Sequence, residues 1–308
     1  MNKNKKRTHS SQHRPNDFKE FEVYHECELL PFLIEKMPGL SRNNVKSILS
    51  HHQVAVDGAP ISQYDFKLYK EDTVIVSKRK IGKRKDESIP IIYEDEEFIV
   101  VDKPSGLLSI ASDREKGKTV YRILTDYVQS KDRHNRIFVV HRLDEDTSGV
   151  LVVAKNGKLR DAMQDNWQEI VKSRGYYAIV DGKMKNNEET LSDYLKENKN
   201  NMMYISDDKK NGKLCITHYK VMNENNDHSL LEIHIDSGRK NQIRVQLGHI
   251  GHFVIGDDKY GEPTNPLNRL GLHAYELVFI HPFSKKKYEF RAKMPQEFKK
   301  MFPQKNVK

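Results

Sequence analysis

Ile137-Phe138-Val139-Val140-His141-Arg142-Leu143-Asp144-Glu145-Asp146-Thr147-Ser148-Gly149-Val150-Leu151-Val152-Val153-Ala154 is the stretch whose reading decides the fold. Two short apolar runs bounded by turn residues predict buried strands. Between them, His141 to Asp146 hold one His, one Arg and three acids. The spacing therefore puts a charge cluster on a loop at the end of a sheet, where a rigid scaffold presents functional groups. Burying Asp144 would be costly unless a cation paired with it. Thr147-Ser148-Gly149 supplies hydroxyls and a flexible turn that hold such a loop. From spacing alone, a polar turn whose acids bond their own backbone is as good an account as a reactive carboxylate.

Outward from that loop, 308 residues predict two domains at ~150 residues each. A formal net charge of +9 points to a polyanionic partner. Cys27 and Cys215, far apart, offer neither a disulfide framework nor a paired-cysteine metal site. No apolar run approaches the ~20 residues needed to cross a bilayer. Met1 to Arg14 is rich in Lys, Asn and His and lacks the apolar segment of a secretory signal. A cytoplasmic protein with no membrane contact is the expectation.

Composition divides the chain further. Residues 1–17 read as a disordered basic tail. Residues 18–78 read as a small α/β domain. Leu29, Leu30, Leu33 and Ile34 have helical spacing, ended by Pro38-Gly39, and Ser41 is a candidate N-cap for a second helix carrying Val45, Ile48 and Leu49. Val54, Val56, an Asp57-Gly58 turn and Val74-Ile75-Val76 complete it as strands. Residues 79–88 read as a basic linker.

Residues 89–303 form the larger predicted domain. Phe98 to Val101 predicts a strand and Lys103-Pro104-Ser105-Gly106 its turn. Leu159 to Trp167 has helical spacing, and Trp167 reads as core. Tyr176 to Asp181 predicts a strand ending at Gly182. Residues 183–214 read as a polar excursion of hairpins. Periodicity around Arg239 to Leu247 is ambiguous, because Ile243, Val245 and Leu247 fit a strand while Ile243, Leu247 and Ile250 fit a helix. Many short strands with few helices predict a mixed sheet of the α+β class.

His-Arg-Leu-Asp-x-x-Thr-Ser-Gly at 141–149 resembles the signature of the RluA-like family of RNA pseudouridine synthases, matching all seven specified positions. The Lys103-Pro104-x-Gly106 turn, the Tyr176-x-Ala178-x-Val180-x-Gly182 strand and Gly238-Arg239-x-x-Gln242-Ile243-Arg244 resemble its other motifs. Ile250-Gly251-His252 to Gly256-Asp257, Leu272-His273-Ala274 and His281-Pro282 match further family patterns. The resemblance implies a mainly antiparallel synthase sheet and puts the 239–247 motif on a helix. It implies Asp144 as catalytic nucleophile, with Tyr176 and Arg244 as catalytic partners. Alignment back from Gly182 selects Tyr176 and puts the motif's basic position at Arg174, with Tyr177 an off-by-one competitor. Asn241 departs from the family's usual His. Residues 18–78 resemble the ribosomal S-four-type RNA-binding domain through Ser41-Arg42, Gln53-Val54-x-Val56-Asp57-Gly58 and Asp72-x-Val74-Ile75-Val76. That resemblance makes Arg42 and Lys46 RNA contacts, although Glu26 and Glu28 stand where relatives often carry a base.

Isomerising uridine breaks a nitrogen–carbon glycosidic bond and remakes it to a ring carbon, so no redox cofactor or metal is required. A carboxylate can attack the sugar or abstract a sugar proton, and the sequence leaves both open. Arg244 is expected to pair with Asp144 and keep it ionised. Arg142 is expected as the wedge or phosphate clamp that extrudes the nucleotide, with His141 and Lys103 as further RNA contacts and Tyr176 packing on the flipped base. RNA is the expected partner of a monomer, with large-subunit ribosomal RNA ahead of tRNA as target. Two rival readings exist. His249-x-x-His252 with Asp257 or Asp258 suggests a metal hydrolase, and charge alone suggests a non-catalytic RNA-binding or ribosome-assembly factor.

Overall fold

The computed structural model describes residues 18–56, 59–78, 89–111, 119–261 and 265–302. The tail at 1–17, the Asp57-Gly58 turn and the linker at 79–88 lie outside the described residues. The chain divides into two compact units, 1–87 and 88–308.

The first unit runs β1 (Phe18–Glu22), β2 (Cys27–Glu28), α1 (Leu29–Lys36), α2 (Arg42–Ser50), β3 (Val54–Val56), β4 (Ala59–Pro60), β5 (Lys67–Leu68) and β6 (Thr73–Ser77). Its sheet has the order β1-β6-β3-β4, and β2 pairs with β5. Leu29, Leu30, Phe32 and Leu33 of α1 meet Val45 and Leu49 of α2 in one core with Val54, Val56, Val74 and Val76. Ser41 Oγ accepts the Asn44 N–H at 3.2 Å, which fixes the start of α2. Arg42 and Lys46 stand one turn apart, both exposed.

The second unit continues with β7 (Ile91–Glu94), β8 (Phe98–Lys103), α3 (Val120–Lys131), β9 (Phe138–Val139) and β10 (Ser148–Ala154). Then come α4 (Gly157–Asp165), α5 (Trp167–Ile170), β11 (Val171–Asp181), β12 (Glu188–Glu197), β13 (Met203–Ile205), β14 (Lys213–Glu224) and β15 (His228–Ile235). It closes with α6 (Gln242–His249), β16 (Leu272–Ile280), β17 (Lys287–Arg291) and α7 (Gln296–Met301). The sheet order is β13-β12-β14-β15-β11-β16-β10-β8-β7, with β17 beside β16 and β9 beside β10. Every pairing is antiparallel except the short parallel contact of β10 with β16. The polar stretch read as hairpins forms the β12–β14 edge of this same sheet.

Strands β8 and β10 read as continuous apolar runs because both of their faces are covered. Leu124 and Val128 of α3 pack with Ile99, Val101, Leu151 and Val153. Leu159 and Met163 of α4 pack with Phe98, Val100, Val150 and Val152 on the other face. The helix read over Leu159 to Trp167 is two helices, broken at Asn166, which caps both.

Helix α6 resolves the ambiguous periodicity. Gln242, Arg244 and Gln246 are as buried as its apolar residues, so no polar stripe marks the helix in the sequence. Each is satisfied: Gln242 Nε2 donates to Ile216 O at 3.0 Å and to Thr217 Oγ1 at 2.9 Å. Gln246 accepts from Thr217 at 2.7 Å and donates to Asp193 at 2.6 Å. Among the described residues, no helix is long and apolar enough to cross a membrane.

Candidate active site

The loop from His141 to Thr147 enters β10 through Gly149, whose φ of 117° lies in the region that favours glycine. A Cβ there would run into the backbone carbonyl of Ala274 on β16. A second loop, 103–109, clamps the first. Lys103 Nζ donates to the carbonyls of Pro104 (3.0 Å), Leu107 (2.6 Å) and Glu145 (2.8 Å). Ser105 Oγ donates to Asp146 O at 2.6 Å, Ser109 Oγ to Leu143 O at 2.8 Å, and the Gly106 N–H to Glu145 O at 3.0 Å. The Lys-Pro-x-Gly turn thus fixes the position of Asp144 through its neighbours.

This corrects the expectation that Lys103 meets RNA. Its side chain is fully buried, and its three donors are all taken by backbone carbonyls. Burial pulls its pKa down to about 8, against the opposing pull of the nearby Asp146 and Asp144 carboxylates. Lys103→Met is expected to lower the unfolding free energy by about 2–4 kcal/mol, because it strands buried carbonyls. A surface phosphate contact would leave it within about 0.5 kcal/mol. Urea unfolding distinguishes the two.

Asp144 itself is exposed. It opens on a cleft of about 500 Å³ that also carries Arg142, Glu145, Arg174, Arg239, Lys240 and Arg244. Of its five cations Arg244 is paired with Asp257 and Lys240 with Glu197, so Arg142, Arg174 and Arg239 set its basic character against the two carboxylates. Arg142 is exposed and lines the cleft. Arg174, the motif's basic position, donates to Asp236 O at 2.8 Å and faces the same space.

Strand alternation separates the two tyrosines. Tyr176 lines the cleft, at the junction of the core clusters under α3 and α6. Burial pushes its hydroxyl pKa up, and the nearby Asp144 carboxylate adds to the shift against Arg174. Tyr177 points to the opposite face, where its ring stacks on Tyr275 at 4.2 Å.

His141 lies in the wall of the same cleft. Its Nε2 accepts the Val152 N–H at 3.1 Å, and its ring stacks on Trp167 at 5.0 Å. Burial, with Arg174 adding, pulls its pKa down to about 3, so the ring is neutral. Trp167 is half-buried: it packs on the core as expected but also lines the cleft beside His141.

The expected Arg244–Asp144 pair is replaced by another. Arg244 Nε donates to Asp257 Oδ2 at 2.7 Å and Nη2 to Asp257 Oδ1 at 2.5 Å. Among the described residues no ion pair joins Arg244 to Asp144. The reason is burial: the two side chains are 5% and 1% exposed, and a guanidinium so placed needs a carboxylate at bonding distance. Burial would lower the Arg244 pKa, but Asp257 outweighs it and raises it, with Asp144 and Asp146 adding from further off. The side chain that reaches Asp144 is Asn241, at the start of α6.

In the sequence Asp257 stands only as a candidate ligand of the His249-x-x-His252 metal reading and as part of a matched Gly256-Asp257 pair. The available signal was that an arginine inside a buried helix demands an acid. Asp257 also accepts the N–H groups of Lys259 (3.0 Å) and Tyr260 (2.9 Å), so its oxygens are occupied. That removes it from the His249-x-x-His252 metal reading. His249 is exposed, and His252 bonds the Asp181 carbonyl at 3.0 Å. Among the described residues, no group of three or more His, Cys, Asp or Glu side chains gathers where a metal could bind.

A model of the RNA pseudouridylate synthase family matches residues 97–249, spanning the loop, the Tyr176 strand and α6. The ribosomal large subunit pseudouridine synthase D of Zymomonas mobilis is 31% identical over 283 residues, covering 85% of this chain and 89% of that protein. An uncharacterised RNA pseudouridine synthase of Aquifex aeolicus is 32% identical over 304 residues, covering 92% and 95%. Human RNA pseudouridylate synthase domain containing 1 shares the fold, with a TM-score of 0.56 at 24% identity over 68% of this chain and 84% of that one.

Proposed function

The chain belongs to the RNA pseudouridylate synthase family, and we propose that it isomerises uridines of large-subunit ribosomal RNA with Asp144 as the reacting carboxylate. It is an isomerase of the RluA type whose substrate is RNA. The observation that carries the assignment of Asp144 is its place: an exposed carboxylate on a loop clamped from below, facing a basic cleft with Tyr176 alongside.

A stacked uridine hides its glycosidic bond, so the nucleotide has to leave the helix before Asp144 can reach the sugar. Arg142 at the rim fills the vacated place or holds the flanking phosphate. Tyr176 supplies the ring on which the extruded base packs. Arg174, Arg239 and Lys240 receive phosphates along the cleft. Arg244 acts through α6, which its hydrogen bonds to Asp257 hold in place. The first unit serves as an S-four-type RNA-binding domain, with Arg42 and Lys46 as its contacts. The setting is the cytoplasm.

The target is tested by offering the purified protein large-subunit RNA and tRNA transcripts side by side. Pseudouridine is expected in the first; product only in tRNA would replace the target. Arg142→Ala is expected to lower kcat/KM on that RNA about tenfold or more with an unchanged melting point. Unchanged turnover would remove Arg142 from the extrusion step.

A further inference from the structure

We infer that Asn241 is the positioning residue for Asp144, with Tyr260 orienting the Asn241 amide. The inference rests on the assignment of Asp144 and goes beyond it. One terminal atom of the Asn241 side chain lies 2.8 Å from Asp144 Oδ2, and the other lies 2.9 Å from the Tyr260 hydroxyl and 3.3 Å from Lys259 Nζ. A carboxylate only accepts hydrogen bonds, so the surrounding donors and acceptors decide which end is nitrogen. With the nitrogen toward Asp144, the amide donates to the carboxylate and its oxygen accepts from Tyr260 and Lys259. The opposite orientation would give Arg244 Nη1 an acceptor at 3.3 Å but would set oxygen against oxygen at Asp144. The first arrangement wins, because a short contact between acceptors costs more than a long hydrogen bond gains.

Tyr260 is itself held. Its hydroxyl accepts the Met203 N–H at 3.0 Å, which leaves its proton for Asn241. The Arg244 guanidinium stands 5.2 Å and the Lys259 ammonium 5.4 Å from its ring centroid. Met203, Tyr260 and Asn241 therefore form a chain of hydrogen bonds ending on the carboxylate. Asn241 is buried, so the donor it presents is fixed rather than one of several surface positions. Its backbone is left-handed, with φ 53° and ψ 23°. Asn, Asp and His adopt that conformation more readily than other residues, which makes a sharp test possible.

Asn241→Asp and Asn241→His both suit the backbone. The first replaces the donor with a second carboxylate beside Asp144; the second keeps a ring N–H. If Asn241 positions Asp144, the His variant should turn over at least about tenfold faster than the Asp variant, the scale of one hydrogen bond to an ionised group. Asn241→Ala should fall between them in kcat, with KM for RNA within about twofold of the parent. Tyr260→Phe, which leaves the backbone alone, should lower kcat about threefold to tenfold. A purely structural role predicts the reverse order, with Asp above Ala, because alanine is strained at positive φ. That order, or equal rates for the Asp and His variants, or a loss confined to KM, would overturn the inference while Asp144→Asn stays inactive. Full turnover by Asp144→Asn would instead remove the reading on which it rests.

Discussion

Asp257→Ala is expected to cost about 3–5 kcal/mol of folding stability, the largest loss of any single substitution considered for this chain. The change leaves the Arg244 guanidinium in a site 5% exposed with no carboxylate at bonding distance. It also strands the N–H groups of Lys259 and Tyr260, which Asp257 holds at the turn after α6. A loss of that size is a large fraction of the stability of an ordinary domain, about 5–15 kcal/mol. The companion double variant, Arg244→Leu with Asp257→Leu, removes both charges and should recover part of the loss, because the desolvation cost disappears with the pair. Urea unfolding of the single and double variants measures this. Equal stability of Asp257→Ala and the parent would mean that the pair does not hold α6. The same substitution should lower turnover, since the first turn of α6 carries Asn241 to Asp144.

Asp144→Asn is expected to lower kcat about a thousandfold or more, the scale on which enzymes lose rate when a reacting nucleophile is removed. Asparagine has nearly the volume of aspartate and accepts hydrogen bonds, but it is a poor nucleophile and a poor base. Folding should change little, because Asp144 is exposed and the loop is held by Lys103, Ser105 and Ser109 rather than by its carboxylate. RNA affinity should stay the same or rise slightly, since an anion leaves a basic cleft. A fall in affinity with kcat intact would make Asp144 a binding residue.

Strands β8 and β10 were legible because both of their faces are covered, which writes an apolar run into the sequence. Motif position singles out Asp144, Arg142 and Tyr176, and the fold brings all three to one cleft. Partnerships were not legible in the same way. Lys103 looks like a surface cation in sequence, but its aliphatic stem and ammonium are buried to tie two loops together. Arg244 was assigned to the wrong carboxylate, because Asp257 lies a loop away and nothing in the spacing distinguishes one acid from another. His141 offers two ring nitrogens in sequence, but the Val152 N–H of β10 takes one of them. Asn241 stood out only as a departure from the family's usual His, and its contact with Asp144 depends on a left-handed backbone that periodicity does not reveal.

Forming pseudouridine moves the sugar from N1 to C5 of the base, so C5 must give up its hydrogen to water. RNA carrying tritium at C5 of uridine therefore reports the reaction directly, independent of binding. Purified protein incubated with such large-subunit RNA is expected to release tritium in step with pseudouridine formation, and the Asp144→Asn protein to release none above background. Tritium retained by the parent protein while it binds that RNA, or released equally by both proteins, would contradict the account.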